Sequence, residues 1–346
     1  MIEILSAGAL STVQDMGRLS YRRFGVGTAG AMDSLALAIG NMLVDNAADA
    51  AGVEVPVLPF RVRFQHALDF AVSGADCLMT LDERPLLPWW KYRAKAGQIL
   101  SLGQDGRSFT AGARSYLSVS GGIDVSQVLG SRSTQLRGRF GGHQGRALVE
   151  GDLLKTGVAG GASETGVKGE PAGKSVEFGI VPPGIALNAG DFCASDVHSL
   201  SQATAVRVVT AAEYDDFDVE ALNQFWASDW KITAQSDRYG YRLSGPALQL
   251  KSALETRSHG VVPGVIQVPP SGQPIIQMRD AQPSGGYPKI GTVIDADMWR
   301  LAQAPAGSRI RFVAANYHQA LAASQVNGAY LKKVRMLISQ YRSMHG

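Results

Sequence analysis

Residues 258–290 read SHGVVPGVIQVPPSGQPIIQMRDAQPSGGYPKI, and this stretch constrains the fold more than any other. Two apolar runs, 261–268 and 274–278, flank a Pro-Pro-Ser-Gly segment at 269–272. Proline fixes φ at about −65° and glycine accepts positive φ, so the segment is a turn and the runs are strands. The second run ends in Arg279, Asp280 and Gln282, followed by the pair Gly285-Gly286, then Tyr287 and Lys289. Polar groups therefore crowd the mouth of a hairpin, on backbone that lets a ligand come close. The same glycines would suit a hairpin whose only task is to turn, and the local chemistry leaves both readings open.

The rest of the chain repeats the short-strand, turn-rich pattern. Glycine supplies 40 and proline 15 of 346 residues, which favours many turns over long helices. The length fits two domains or one large one. A hydrophobic share of 45% with 18% charged residues fits a globular chain with a real core. The net charge of +3 is too small to imply nucleic acid or an anionic membrane as partner. No run of eighteen apolar residues occurs, so no spanning helix is expected. The start, MIEILSAGAL, has neither a basic beginning nor a long apolar centre, so no signal peptide is expected. Cys77 and Cys193 lie far apart in apolar-leaning contexts, which suits reduced core thiols and a cytoplasmic setting.

Along the chain, residues 12–33 hold Gln14, Asp15, Arg18, Arg22 and Arg23 among Gly17, Gly25, Gly27 and Gly30. Met32, Leu35, Ala36, Ile39, Met42 and Leu43 then recur at helical spacing. Asp33 stands where an N-cap belongs; capping alone accounts for it, or the helix start holds an anion. Residues 53–110 are broken into short β-like runs. Trp89-Trp90 is a buried aromatic pair or a surface platform. The segment 128–152 carries Arg132, Arg137, Arg139 and Arg146 near Gly141, Gly142 and His143, a composition suited to a carboxylate or phosphate, or to a solvated loop. Residues 156–175 are of low complexity and read as a linker. Within them GEPAGKS, 169–175, mimics a P-loop but has three residues between its glycines where four are required, so a Walker site is rejected. Helices are expected over 218–230, over 295–303 and from Tyr317 onward, with a closing strand over 308–313. The segment 236–246, SDRYGYRLSGP, sets Asp237, Arg238, Tyr241 and Arg242 around Gly240. The six histidines are scattered, with no His-Glu-x-x-His and no Cys-x-x-Cys, so no metal site is expected. Neither a Gly-x-Ser-x-Gly elbow nor a Gly-x-Gly-x-x-Gly loop occurs.

Four long motifs, at 12–33, 114–138, 236–246 and 258–290, occur in an order that resembles the biotin-dependent carboxyltransferase family, most closely the branch of the 5-oxoprolinase C subunit. That family also includes the protein called allophanate hydrolase subunit 2, the carboxyltransferase segment of urea carboxylase and a sporulation-kinase regulator. The resemblance runs over about residues 4–312. It implies a mainly β fold with an α+β minority: a carboxyltransferase-type subdomain A over 1–200, a cyclophilin-like β-barrel as subdomain B over 201–315, and a helical tail over 316–346. Two loops depart from the family pattern, at Val53-Glu54 with Leu58-Pro59-Phe60 and at Thr210-Ala211-Ala212, where a Pro-Gly-Pro is usual.

The resemblance further implies an ATP-dependent assembly with two other members, a homologous subunit of the B type and a lactam-hydrolase-like subunit of the A type, opening 5-oxoproline to glutamate. A lactam is a poor electrophile, so its carbonyl needs activation, for which O-phosphorylation is one route, with cations on the phosphoryl group and a general base. Asp280, Lys289, Asp15 and Arg18 are the catalytic candidates. Gln14, Arg22, Asp33, Arg238, Tyr241, Arg242, Gln267, Gln273, Gln282, Gly285, Gly286 and Tyr287 are the binding candidates. Asp280 and Gln282 are expected on one side of an extended segment. Asp15, Asp33, Asp237 and Asp280 are candidates for Mg²⁺ or base roles. ATP, with Mg²⁺, is expected at an unconventional site shared with the B-type partner, and the lone chain is expected to be inactive. Two alternatives stand: a biotin-dependent carboxyl transfer component, though no Ala-Met-Lys-Met-type motif occurs here, and a regulatory binding protein acting on a kinase-inhibitor partner.

Overall fold

The computed structural model describes residues 1–103, 109, 111–158, 176–187, 203–254 and 257–345. They form two compact units. The first comprises Met1–Arg18, Ala29–Ala186 and Ala329–Gly346, the second Leu19–Thr28 and Leu187–Gly328.

The first unit is built on two six-stranded sheets. One has the order Leu153–Leu154 (β11), Ile2–Ser6 (β1), Phe60–Phe64 (β4), Ile99–Leu102 (β9), Met79–Leu81 (β6), Arg84–Leu86 (β7). The other runs Phe178–Gly179 (β12), Trp90–Ala94 (β8), Leu68–Asp76 (β5), Ala111–Val119 (β10), Gly52–Val55 (β3), Thr12–Gln14 (β2). Alternation explains the pattern. In FRVRF of β4, Phe60, Val62 and Phe64 are fully buried while Arg61 and Arg63 point the other way. Those side chains join Val53, Phe70, Val72, Leu117 and Val119 of the second sheet in one apolar core. Helix α1, Ser34–Leu43, is capped by Asp33, whose Oδ1 accepts from the Ala36 N–H at 2.9 Å. Nine of its ten residues are buried, so it is an internal helix rather than a surface amphipath. Trp89 is buried and Trp90 partly exposed, so they do not form a joint platform. Cys77 is a free, buried thiol pushed up to about 11 by desolvation, and Cys193 lies outside the described residues.

The second unit is a closed barrel. Its strands run Thr204–Thr210 (β13), Lys289–Val293 (β20), Val265–Gln267 (β17), Ile275–Gln277 (β18), Gly240–Ser244 (β15), Asp229–Ile232 (β14) and Arg309–Ala314 (β21). β21 closes on β13 in parallel, Val206 opposite Phe312. Closure removes both sheet edges. The expected hairpin is β17–β18; its turn is fixed by Gly272, at φ +73°, whose N–H donates to Pro269 O at 2.9 Å. A two-stranded ribbon, His259–Gly260 (β16) with Ser284–Gly285 (β19), stands beside it. Helix α2, Val219–Ala227, is capped by Asp218 and buries Phe225, which stacks on Phe312 at 4.6 Å.

The C-terminal helix α3, Tyr317–His345, has a docking face in each unit. In the second, Ala320 and Ala323 pack on Ile294 and Ala296. In the first, Val334 and Ile338 are buried, Tyr330 Oη donates to Val181 O at 2.6 Å, and the Tyr341 ring lies 5.0 Å from Phe178. Among the described residues no helix is long and apolar enough to cross a membrane. The expected mainly β architecture, with a C-terminal barrel and a terminal helix, is the one observed.

Candidate functional site

In the second unit a register shift creates the site. β17 pairs with β20 through Ile266 opposite Gly291, and the register then slips so that Gln267 faces Lys289. Such bulges re-aim side chains. Lys289 opens β20 and is only 4% exposed. Its Nζ donates to Gly285 O at 3.2 Å and lies 3.3 Å from His259 Nδ1 and 4.0 Å from Glu213 Oε1. His259 Nε2 is itself 3.8 Å from Glu213 Oε1. Three titratable groups thus meet within hydrogen-bonding or ion-pair reach. Desolvation lowers the Lys289 pKa below its ordinary value, and Glu213 pulls the other way.

The His259 tautomer selects its contacts: with Nδ1 unprotonated, Nδ1 accepts from Lys289 Nζ and Nε2–H faces Glu213, and with Nδ1 protonated, Nδ1–H donates to Arg257 O, 3.1 Å away.

Gln267 supplies the second half of the site. Its Oε1 accepts from Gln277 Nε2 at 2.9 Å, while its own Nε2 is buried with no acceptor among the described residues. An unmet buried donor costs about 1–3 kcal/mol and signals a place for a water or ligand oxygen. A Cβ at Gly285 would press on the Gln267 amide, so glycine leaves that amide its place. Gly286 and the half-exposed Tyr287 line a cavity of about 810 Å³, whose walls include Leu248, Leu254 and Pro269 and whose rim carries Arg257.

Several of the other residues singled out in this unit are bonded to neighbours within it. Arg238 grips Asp280 with both arms, Nε to Oδ2 and Nη2 to Oδ1, each 3.0 Å, and both side chains are buried. Each candidate clamp and candidate base therefore has the other as its partner. Asp237 Oδ1 accepts from the Tyr239 and Gly240 N–H groups at 2.7 and 3.2 Å, an Asx turn. Gln273 brackets Gly245, accepting from its N–H at 3.0 Å and donating to its carbonyl at 3.1 Å. Arg22 donates to Val261 O at 2.6 Å. Tyr241 is buried in β15 and Arg242 is exposed on its opposite face. Asp280 and Gln282 do not share a side: the Ala281 N–H bonds back to Met278 O, the chain turns, and Gln282 is exposed.

In the first unit Gln14, Asp15, Arg18 and Asp33 are all buried. Gln14 donates to Thr12 Oγ1 and Thr134 O and accepts from the Gly30 N–H. Asp15 accepts from Ser131 Oγ, Ser133 Oγ and the N–H groups of Gly17 and Arg132, at 2.5–2.8 Å. Arg18 donates to Ser133 O at 2.6 Å and lies over the Phe140 ring. This network braces the loop 128–145, with three of the donors on Asp15 Oδ1 and the Arg132 N–H on Oδ2. Among the described residues no three His, Cys, Asp or Glu side chains cluster as a metal would need. The segment 169–175 lies outside the described residues.

Sequence reasoning missed Glu213, His259 and Gln277. His259 stands in the segment 258–290, and its proximity to Lys289 was signalled only by both flanking the same hairpin. Glu213 follows the atypical Thr210-Ala211-Ala212 and carried no signal of its own.

Residues 24–314 match the family model described as "Carboxyltransferase domain, subdomain A and B". The chain is 38% identical over 340 residues to the 5-oxoprolinase C subunit of Haemophilus influenzae, covering 98% of this chain and 99% of that one. It is 39% identical over 334 residues to the 5-oxoprolinase C subunit of Escherichia coli K12, covering 96% and 97%. Among solved structures, the urea amidolyase of K. lactis superposes with a TM-score of 0.80 at 29% identity, over 96% of this chain and 20% of that much longer one.

Proposed function

The chain belongs to the carboxyltransferase-domain family with subdomains A and B, and from that premise we propose that it is the C subunit of an ATP-dependent 5-oxoprolinase. The observation that carries this reading is the end-to-end match, at 38% and 39% identity, to two proteins bearing that name. The assembly would convert 5-oxo-L-proline to L-glutamate with partners of the B and A types.

The Lys289 cluster supports a role in the chemistry. A lactam carbonyl resists water until its oxygen is stabilised or phosphorylated, and a proton must leave the attacking water. Gln267 Nε2 is an unmet donor suited to a carbonyl oxygen, and Lys289 with His259 and Glu213 forms a group able to accept and pass a proton. ATP enters at a site shared with the B-type partner. The carboxylates of this chain that were candidates for its Mg²⁺ each accept from at least one protein donor.

Reconstitution tests the reading. The chain alone is expected to form no glutamate from 5-oxoproline and ATP, and to do so only with its B and A partners. Full turnover by the lone chain, or none with both partners, contradicts it. The likeness to urea amidolyase favours one second reading, carboxyl transfer. The same mixtures supplied with bicarbonate and a biotinylated carrier would then carboxylate an amide substrate.

A further inference from the structure

We propose that the glycine-rich loop 138–146 of the first unit forms a binding site for a phosphate monoester, separate from the Lys289 cluster. The loop reads GRFGGHQGR and borders a cavity of about 500 Å³, within the range of small-molecule sites.

Packing explains part of the sequence. A Cβ at Gly141 would strike Ser133 O and one at Gly142 the Thr134 side chain, so both glycines are needed to fold. The side chains of His143 and Gln144, which also border the cavity, are engaged by neighbours. His143 Nε2 lies 3.3 Å from Asp152 Oδ1, and Gln144 Oε1 accepts from Arg146 Nη2 at 3.0 Å.

Packing does not explain what remains. Arg139 and Lys155 both line the cavity, both are exposed, and neither has an ion-pair or hydrogen-bond partner for its side chain among the described residues. Asp124 is the acid in the lining, and it lies 3.8 Å from Arg132. Two cations are therefore left facing a common space. Arg139, Gly141, Gly142, Gln144 and Gly145 all take positive φ, between 52° and 68°. Backbone of this kind turns N–H groups into an anion-binding concavity. The N–H of Gly145 closes on Gly141 O and that of Arg146 on His143 O. Those of Gly141, His143 and Gln144 have no acceptor among the described residues. Gly141 is buried, so its unmet N–H asks for an oxygen.

The donor set selects the ligand. Two cations and three N–H groups outnumber the oxygens of a carboxylate and suit the terminal oxygens of a phosphate. Val125, Val128, Phe140 and Leu153 complete the wall, and they favour a phosphate carried on an apolar or aromatic body.

Calorimetric titration of the purified full chain at constant ionic strength tests the site, with inorganic phosphate and phenyl phosphate as probes and acetate as competitor. Phenyl phosphate is expected to bind more tightly than inorganic phosphate, and acetate not to compete. Arg139→Gln with Lys155→Gln should weaken both probes about tenfold or more without moving the melting temperature. Leu153→Ser should narrow the gap between the two probes. Unchanged binding in the double variant, equal competition by acetate, or no binding of either probe would overturn the proposal.

Discussion

Two buried polar clusters, one in each unit, look alike in composition and differ in satisfaction. Around Asp15, one carboxylate receives four donors, and Gln14 uses both ends of its amide. Around Lys289, an amide donor is unmet and the ammonium is desolvated with a half-exposed imidazole beside it. A carboxylate and an amide bonded at both ends within the chain act as architecture. A network with an unmet donor and a displaced proton equilibrium has chemistry in reserve.

The contrast breaks if the Asp15 cluster proves dispensable for folding. Asp15→Ala leaves four donors without an acceptor and should cost roughly 3–5 kcal/mol of stability, read by denaturant unfolding, while the folded fraction keeps its partners. A loss below about 1 kcal/mol would mean that this network is not architectural.

A smaller effect sharpens the other side. Gly285→Ala pushes a methyl into the Gln267 amide and should break its bond to Gln277. The expected cost is about 1 kcal/mol in stability with a drop in turnover of about tenfold in the reconstituted complex. Stability loss with unchanged turnover would reduce Gln267 to packing.

The smallest effect is a pH dependence. Lys289 has a folded pKa below its ordinary 10.5, so between those two values the unfolded chain binds more protons. Stability contributed by this residue therefore rises with pH across that window. The stability difference between wild type and Lys289→Met should shift toward wild type as pH climbs to 10.5 and then level off. A flat difference contradicts the burial of a titrating amine.

Local features were legible in the sequence because their causes are local. The 269–272 turn and the Asp33 cap each follow from neighbours in the chain. The site was half legible. Lys289, Gln267 and Gly285 lie on one hairpin and its exit, so reading the hairpin found them. Glu213 and His259 reach Lys289 only through barrel closure and the β17–β20 slip, which no local pattern reports. Arg238 and Asp280 were visible as charges but not as a pair, since their contact joins loops forty-two residues apart. Asp15 and Gln14 read as chemistry because their bonds to the distant Ser131, Ser133 and Thr134 cannot be seen in a one-dimensional pattern.

The central claim is that Lys289 belongs to the chemistry and Asp15 to the frame. The most direct test compares turnover and melting temperature of the reconstituted complex carrying Lys289→Met with those of wild type. Methionine keeps the length and burial and removes the charge. The account predicts a melting temperature within a few degrees of wild type (a change of about 1 kcal/mol) and turnover reduced roughly a hundredfold or more. Wild-type turnover in a folded Lys289→Met complex would contradict it.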